Sequence, residues 1–235
     1  MRSAFPGFPP EGIQFFRSLM RNNRREWFQP RKQIFEEKLK QPMRDLVIAV
    51  NREMARFAPE YVTDPDKAIY RIYRDTRFSQ DKTPYKNHIA ASFHRKSACA
   101  HGEAGYYFAV SHKEVAVGGG VYMPAPETLS KIRHHLAEHH AEFRKLIRGK
   151  TIRELHGEMQ GEQLTRVPKG FTSDHPAADL LRYKQFLFYV ELTPELATTP
   201  RLQAEVVRRF RALAPFLRFL NKPLVPARKP IFPAF

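Results

Sequence analysis

Apolar positions recur at helical spacing through the first sixty residues. Phe15, Phe16, Leu19 and Met20 give one apolar face to a helix running from Pro10 to about Arg21. Asn22–Asn23 interrupts it, and Asn23 with Glu26 three residues on makes a capping-box pattern for a second helix. That helix carries Trp27, Phe28, Ile34, Phe35 and Leu39, with Pro30 in or just after its first turn. Pro42 opens a third helix, in which Met43, Leu46, Val47, Val50, Met54 and Phe57 keep a continuous seam until Pro59.

From about Ala68 the period changes to alternation. Tyr70, Ile72, Arg74, Thr76 and Phe78 fall on one face of an extended segment, expected to be the core face, and Arg71, Tyr73, Asp75 and Arg77 fall on the other. Asp81 and Pro84 disfavour strand, so 79–87 is a connection. His88 to His94 resumes the alternation, with Ile89, Ala91 and Phe93 opposite His88, Ala90, Ser92 and His94. After a small-residue loop at 97–105, Tyr106–Val110 and Val115–Tyr122 read as a hairpin turning at 111–113. Gly118–Gly119–Gly120 at the end of its second strand predicts a close backbone approach or a bulge.

Helical spacing returns at Pro124–Pro126 and runs to about Ile147, followed by a short helix at 151–159 and a loop at 164–175. A short helix from Pro176 and a strand at Phe186–Leu192 come next. A last helix follows Thr199–Pro200, with Leu202, Val206, Phe210 and Leu213 inward. Helices, then antiparallel-type strands, then helices predict an α+β fold with a mainly antiparallel central sheet packed against N-terminal and C-terminal helices. Residues 1–222 are expected to form one domain, followed by a Pro-rich C-terminal tail at 223–235.

The length of 235 residues and 42% hydrophobic content suit a globular chain with a sizeable core. The apolar runs are short and broken by charge, so no membrane span is expected. Neither a signal peptide nor a cysteine pair is legible, since Cys99 stands alone, and a cytoplasmic setting is the expectation. The formal charge of +16 raises a nucleic-acid partner as an alternative, but the excess is spread along the chain rather than held in one stripe. Oligomeric state is not legible.

The candidate chemistry is concentrated between Ile69 and His94. Arg71, Arg74, Arg77, Lys82 and Lys86, with Tyr85 among them, suit an anionic small molecule or phosphorylated ligand, because guanidinium and ammonium groups fork toward carboxylate and phosphate oxygens. Asp75, Asp81 and His88 would supply acid–base function if a reaction occurs there. The rival reading is an internal ion-pair network without a ligand. Lys169, beside Gly170, Asp174, His175 and Lys184, adds a further loop candidate. The HxxEH pattern at 135–139 lacks an identifiable further glutamate, so no metal or other cofactor is expected. Asn22, Asn23 and Trp27 read as a helix cap and a core tryptophan, and Cys99 near His101 as a bystander.

The blocks Asn22-Asn23-Arg24-Arg25-Glu26-Trp27-Phe28, Arg71-Ile72-Tyr73-Arg74-Asp75-Thr76-Arg77-Phe78 and Asp81-Lys82-Thr83-Pro84-Tyr85-Lys86 resemble those of the bacterial and fungal family called domain of unknown function 2461. Gly105-Tyr106-Tyr107, Gly118-Gly119-Gly120-Val121-Tyr122, Pro168-Lys169-Gly170 and Asp174-His175-Pro176 resemble further blocks, so the likeness covers about residues 5 to 220. The resemblance implies a single-domain cytoplasmic protein. It supplies no activity, and the histidines at 134–140 fall in none of its blocks.

Overall fold

The computed structural model describes residues 5–77, 79–95 and 102–225. Helix α1 (Pro10–Arg21) starts on a first-turn proline and turns Phe15, Phe16 and Leu19 into the core. It ends at Asn22, whose N–H bonds the Leu19 carbonyl and whose side chain donates to Ser18 O at 3.0 Å. Met20, expected inward, is exposed.

The second and third expected helices are one helical run, entered through α2 (Arg25–Phe28) and a 3₁₀ turn at Gln29–Arg31. It comprises α3 (Lys32–Phe35), a π-helical turn at Glu36–Lys40 and α4 (Gln41–Met54). The reason lies at Pro42, which has no N–H to offer the Lys38 carbonyl and would crowd it in a regular α-turn. The π turn absorbs that misfit. Gly12 of α1 packs directly on the same carbonyl, where a Cβ would stand 2.5 Å from Lys38 O. Ile34, expected on the buried seam, is exposed.

Asp64 caps α5 (Pro65–Ala68) by accepting the Asp66 N–H at 2.9 Å. The strand expected over 70–78 does not form. Tyr70 and Tyr73 are both exposed, Ile72 is buried, and Phe78 lies outside the described residues. Bridges at Ile69–Ala91 and Tyr73–Tyr85, with hydrogen bonds from Tyr70 N to Ala90 O and Lys86 N to Ile72 O, lay this segment along 84–91 as an irregular fringe.

The sheet is antiparallel throughout, in the order β1 (His88–Phe93), β2 (Gly105–Ser111), β3 (Val115–Val121), β4 (Phe186–Leu192). Between β3 and β4 come α6 (Pro126–Glu138), α7 (His140–Ile147), α8 (Lys150–His156) and α9 (Ala178–Leu181). The α6/α7 break at His139 divides what the spacing suggested was one helix. Gln160 pairs with Leu187 outside β4, so both outer strands carry a short bridging partner.

Helix α10 (Arg201–Asn221) covers one sheet face. Its Phe210 ring lies 5.6 Å from Phe93 and 4.7 Å from Tyr106, all three rings being buried. Each such burial is worth about 1.5–3 kcal/mol. Gly119 lets the helix in, because a Cβ there would meet Leu213 and Leu217 at 3.2 and 3.4 Å. The triple-glycine run keeps regular register, so it is a close approach and not a bulge. The fold is α+β, with an antiparallel sheet flanked by helices from both ends of the chain.

Candidate functional site

The second face of the sheet is not covered by α10, and the register determines what it presents. One cross-strand row reads Ser92, Tyr107, Gly118, Tyr189, and the row beside it Ala90, Ala109, Ala116, Glu191. A third reads Gly105, Gly120, Leu187. Alanine and glycine therefore make a low floor, and tyrosines stand from it. Above this floor lies a cleft of about 700 Å³, whose lining includes Tyr70, Tyr107, Tyr122, Tyr189, Ser92 and His94. A smaller hollow of about 220 Å³ holds His88, Ser111, His112 and Glu114, and Tyr107 and Tyr189 line both spaces. A groove of about 800 Å³ beside α8 and α10 has much of its charge spent in the pairs Arg208–Glu205 and Arg211–Glu53.

The Arg/Lys/Asp cluster splits in two. Arg74 donates to the Asp81 carboxylate and, at 2.7 Å, to Thr83 Oγ1, while Thr83 N donates to Asp81 Oδ1 at 2.9 Å. Arg77 forks onto Asp75 through Nε (3.0 Å) and Nη2 (2.7 Å). Lys82 Nζ donates to Thr76 O at 2.9 Å. The local hydrogen bonds and guanidinium partners hold the carboxyls of Asp75 and Asp81 down at about 2. These residues tie the 74–83 loop to itself.

Lys86 and Arg71 are arranged differently. Among the described residues neither has a carboxylate partner, and the Lys86 ammonium stands over the Tyr70 ring, 5.1 Å from its centroid. Burial and then the Arg71 charge lower the Lys86 pKa, and the same Arg71 charge reaches Asp75, whose carboxyl it helps to lower. The Tyr70 ring itself lies 6.4 Å from Tyr107. Lys86 therefore stands at the rim of the cleft. His88, half-buried at the start of β1, has its pKa lowered by burial and then by Lys86.

The remaining expected residues fall elsewhere. Tyr85 is buried, stacked on Phe28 with centroids 4.1 Å apart, and its pKa is raised by burial. Lys169 is exposed in the 164–175 loop, whose Phe171 packs against His134 of α6 at 5.1 Å. Asp66 pairs with Arg44 rather than with the cluster. Asn23 caps no helix: its side chain bonds the backbone of Tyr85. His135 turns inward against Phe219 at 4.6 Å. Among the described residues no group of three or more His, Cys, Asp or Glu could hold a metal ion. Cys99 and His101 lie outside those residues.

Sequence reasoning did not single out Ser92, His94, Tyr107, Tyr189 or Gln160. The alternation at 88–94 did place Ser92 and His94 on one face, which was the available signal. His94 Nε2 and Ser92 Oγ stand 3.0 Å apart. Burial lowers the His94 pKa, with Glu103 opposing the shift.

An α+β protein with one sheet face sealed by a long helix and the other open over a tyrosine-walled, glycine- and alanine-floored cleft is the class that these features define. Residues 11–219 match the family described as "Conserved hypothetical protein (DUF2461)", and the chain belongs to that family. No curated protein and no solved structure matches it. No helix among the described residues is long and apolar enough to cross a membrane.

Proposed function

We propose that the protein binds an anionic ligand with a flat apolar part, the anion at Lys86 and Arg71 and the rest over the tyrosine-walled floor. The observation that carries this reading is Lys86 over the Tyr70 ring at the edge of the cleft, in no salt bridge among the described residues and close enough to Arg71 to feel its charge. Two like charges held near each other gain most from an anion placed between them. Arg74, Arg77, Lys82, Asp75 and Asp81 belong to the loop that presents the site. His88 sits close enough to Lys86 to feel its charge and is the group placed for proton transfer to a bound ligand.

The test is thermal unfolding with phenyl phosphate, which joins a ring to an anion. Saturation at about 100 times Kd should raise Tm by roughly 5 °C or more. Lys86→Met with Arg71→Gln should remove the rise. An undiminished rise in the double variant refutes the site.

A second reading uses the same face for single-stranded nucleic acid. Its support is the trio Tyr70, Tyr107 and Tyr189 on an open sheet, since bases stack on tyrosine at about 1–3 kcal/mol each. Affinity for an oligonucleotide would then fall steeply with salt, and salt-independent or absent binding rejects it.

A further inference from the structure

We propose that Ser92 is a nucleophile and His94 its general base, and that the cleft carries out acyl transfer or hydrolysis on a small ester. Ser92 ends the row that crosses the cleft floor, buried to 7% exposure but facing the open space. Its neighbour two residues on, His94, shares that face and holds Nε2 3.0 Å from the hydroxyl. In the tautomer with its proton on Nδ1, Nε2 accepts the Ser92 hydroxyl. This is the contact that makes an alcohol a nucleophile.

Two features hold that ring in place. Gly105 has no Cβ, and one built there would lie 2.8 Å from His94 Nδ1 and 3.2 Å from Cε1, so glycine is what lets the imidazole lie against β2. Asn221, buried at the end of α10, grips both sides of Ala104, accepting its N–H at 2.8 Å and donating to its carbonyl at 2.9 Å. Ala104 lies between Glu103 and Gly105, so the clamp fixes the backbone that carries both. Glu103 lines the same cleft, and its carboxylate favours the imidazolium that forms when His94 takes a proton. The Tyr107 hydroxyl, kept protonated by burial, is a donor in the same space.

The step balances as follows. The Ser92 Oγ–H proton passes to His94 Nε2 as Oγ bonds the ester carbonyl carbon. The C–O bond to the leaving alcohol then breaks, and that oxygen takes the proton from His94. Water attacks the acyl-serine with His94 again as base, the acid departs, and the proton returns to Ser92 Oγ. That the ester carries an anionic group rests on the function proposed above; the nucleophile itself does not.

A neutral alkyl fluorophosphonate separates the two. It should bond covalently to Ser92, located by peptide mass spectrometry, with loss of fluoride. Ser92→Ala should abolish that label. His94→Gln, which keeps a polar side chain of similar reach, should slow it at least a hundredfold while leaving the melting temperature within a few degrees. No label, label at another residue, or a rate indifferent to His94→Gln overturns the assignment. Phenyl phosphate that protects Ser92 supports the anion site as well. Labelling without protection keeps the nucleophile and counts against the anion.

Discussion

The side chain of Asn23 bonds the backbone of Tyr85 as a neighbouring strand would: Oδ1 accepts its N–H at 3.0 Å and Nδ2 donates to its carbonyl at 2.9 Å. A third contact, from Nδ2 to Asn87 Oδ1 at 3.3 Å, extends the grip. The turn after α1 is thereby fastened to the segment that presents Lys86. Asn23→Ala should cost about 2 kcal/mol of unfolding free energy in urea, because two part-buried backbone groups lose their partners. Asn23→Asp, which keeps the acceptor and loses the donor, should fall between. A loss under a few tenths would show that the backbone finds other partners.

The carboxylates of the 74–83 loop define one acid window. Asp75 and Asp81 titrate near 2 in the folded chain against an ordinary 3.8, so what they contribute is present above that value. It is lost as pH falls from 3.8 toward 2, since the unfolded chain takes up the proton first. Carboxyl-carbon chemical shifts should give both groups midpoints near 2. In Asp81→Asn the Asp75 midpoint should stay low, because Arg77 and not Arg74 holds it.

His156 defines a second, higher window. Its ring is buried beside Phe188, with Nε2 3.2 Å from Arg209 O, and burial pushes its pKa down to about 4. The unfolded chain binds a proton near the ordinary 6.5 and the folded chain does not, so stability falls as pH drops from 6.5 to about 4. The total is roughly 3 kcal/mol, at 1.36 kcal/mol for each pH unit of displacement. His156→Gln should flatten that slope and leave the carboxylate window below it unchanged. Equal slopes in the two proteins would place the titration elsewhere.

The glycines of β3 admit a sharper test. Gly120 has φ +142°, and a Cβ on it would stand 2.0 Å from Phe186 O. Gly120→Ala should destabilise by about 2–3 kcal/mol through backbone strain and displacement of β4. Because β4 carries Tyr189 and Leu187 into the cleft, the variant should also weaken phenyl phosphate binding. Unchanged stability would mean that the strand pair relaxes freely.

What the sequence made legible followed from strong local periods. The bounds of α1, β1 and β4, the hairpin and the seam of α4 all rest on alternation or helical spacing that a few neighbouring residues carry. The failures occur where a distant partner decides. Residues 70–77 alternate like a strand, but the chain lays them irregularly along 84–91, so Tyr70 faces outward to the cleft. Asn23 has a capping pattern, yet Tyr85 takes its side chain. Of the candidate site, density of charge singled out the stretch, but which of its cations pair within it depended on Asp81 and Asp75 folding back onto Arg74 and Arg77. Tyr107, Gly118 and Tyr189 join Ser92 only through register across four strands, and no local spacing encodes that row.

The bridges outside the two outer strands also govern how copies of this chain treat one another. Bare strand edges invite a neighbouring molecule to add its own strand and so begin a chain of contacts without an end. Here Tyr70 N already donates to Ala90 O, and on the far side Gln160 bonds Leu187 through both N–H and carbonyl while its side chain donates to Tyr189 O. Part of each outer strand's edge is thus already occupied from within the same chain. Crowded solutions should therefore stay clear of fibrils for as long as these short partners remain in place.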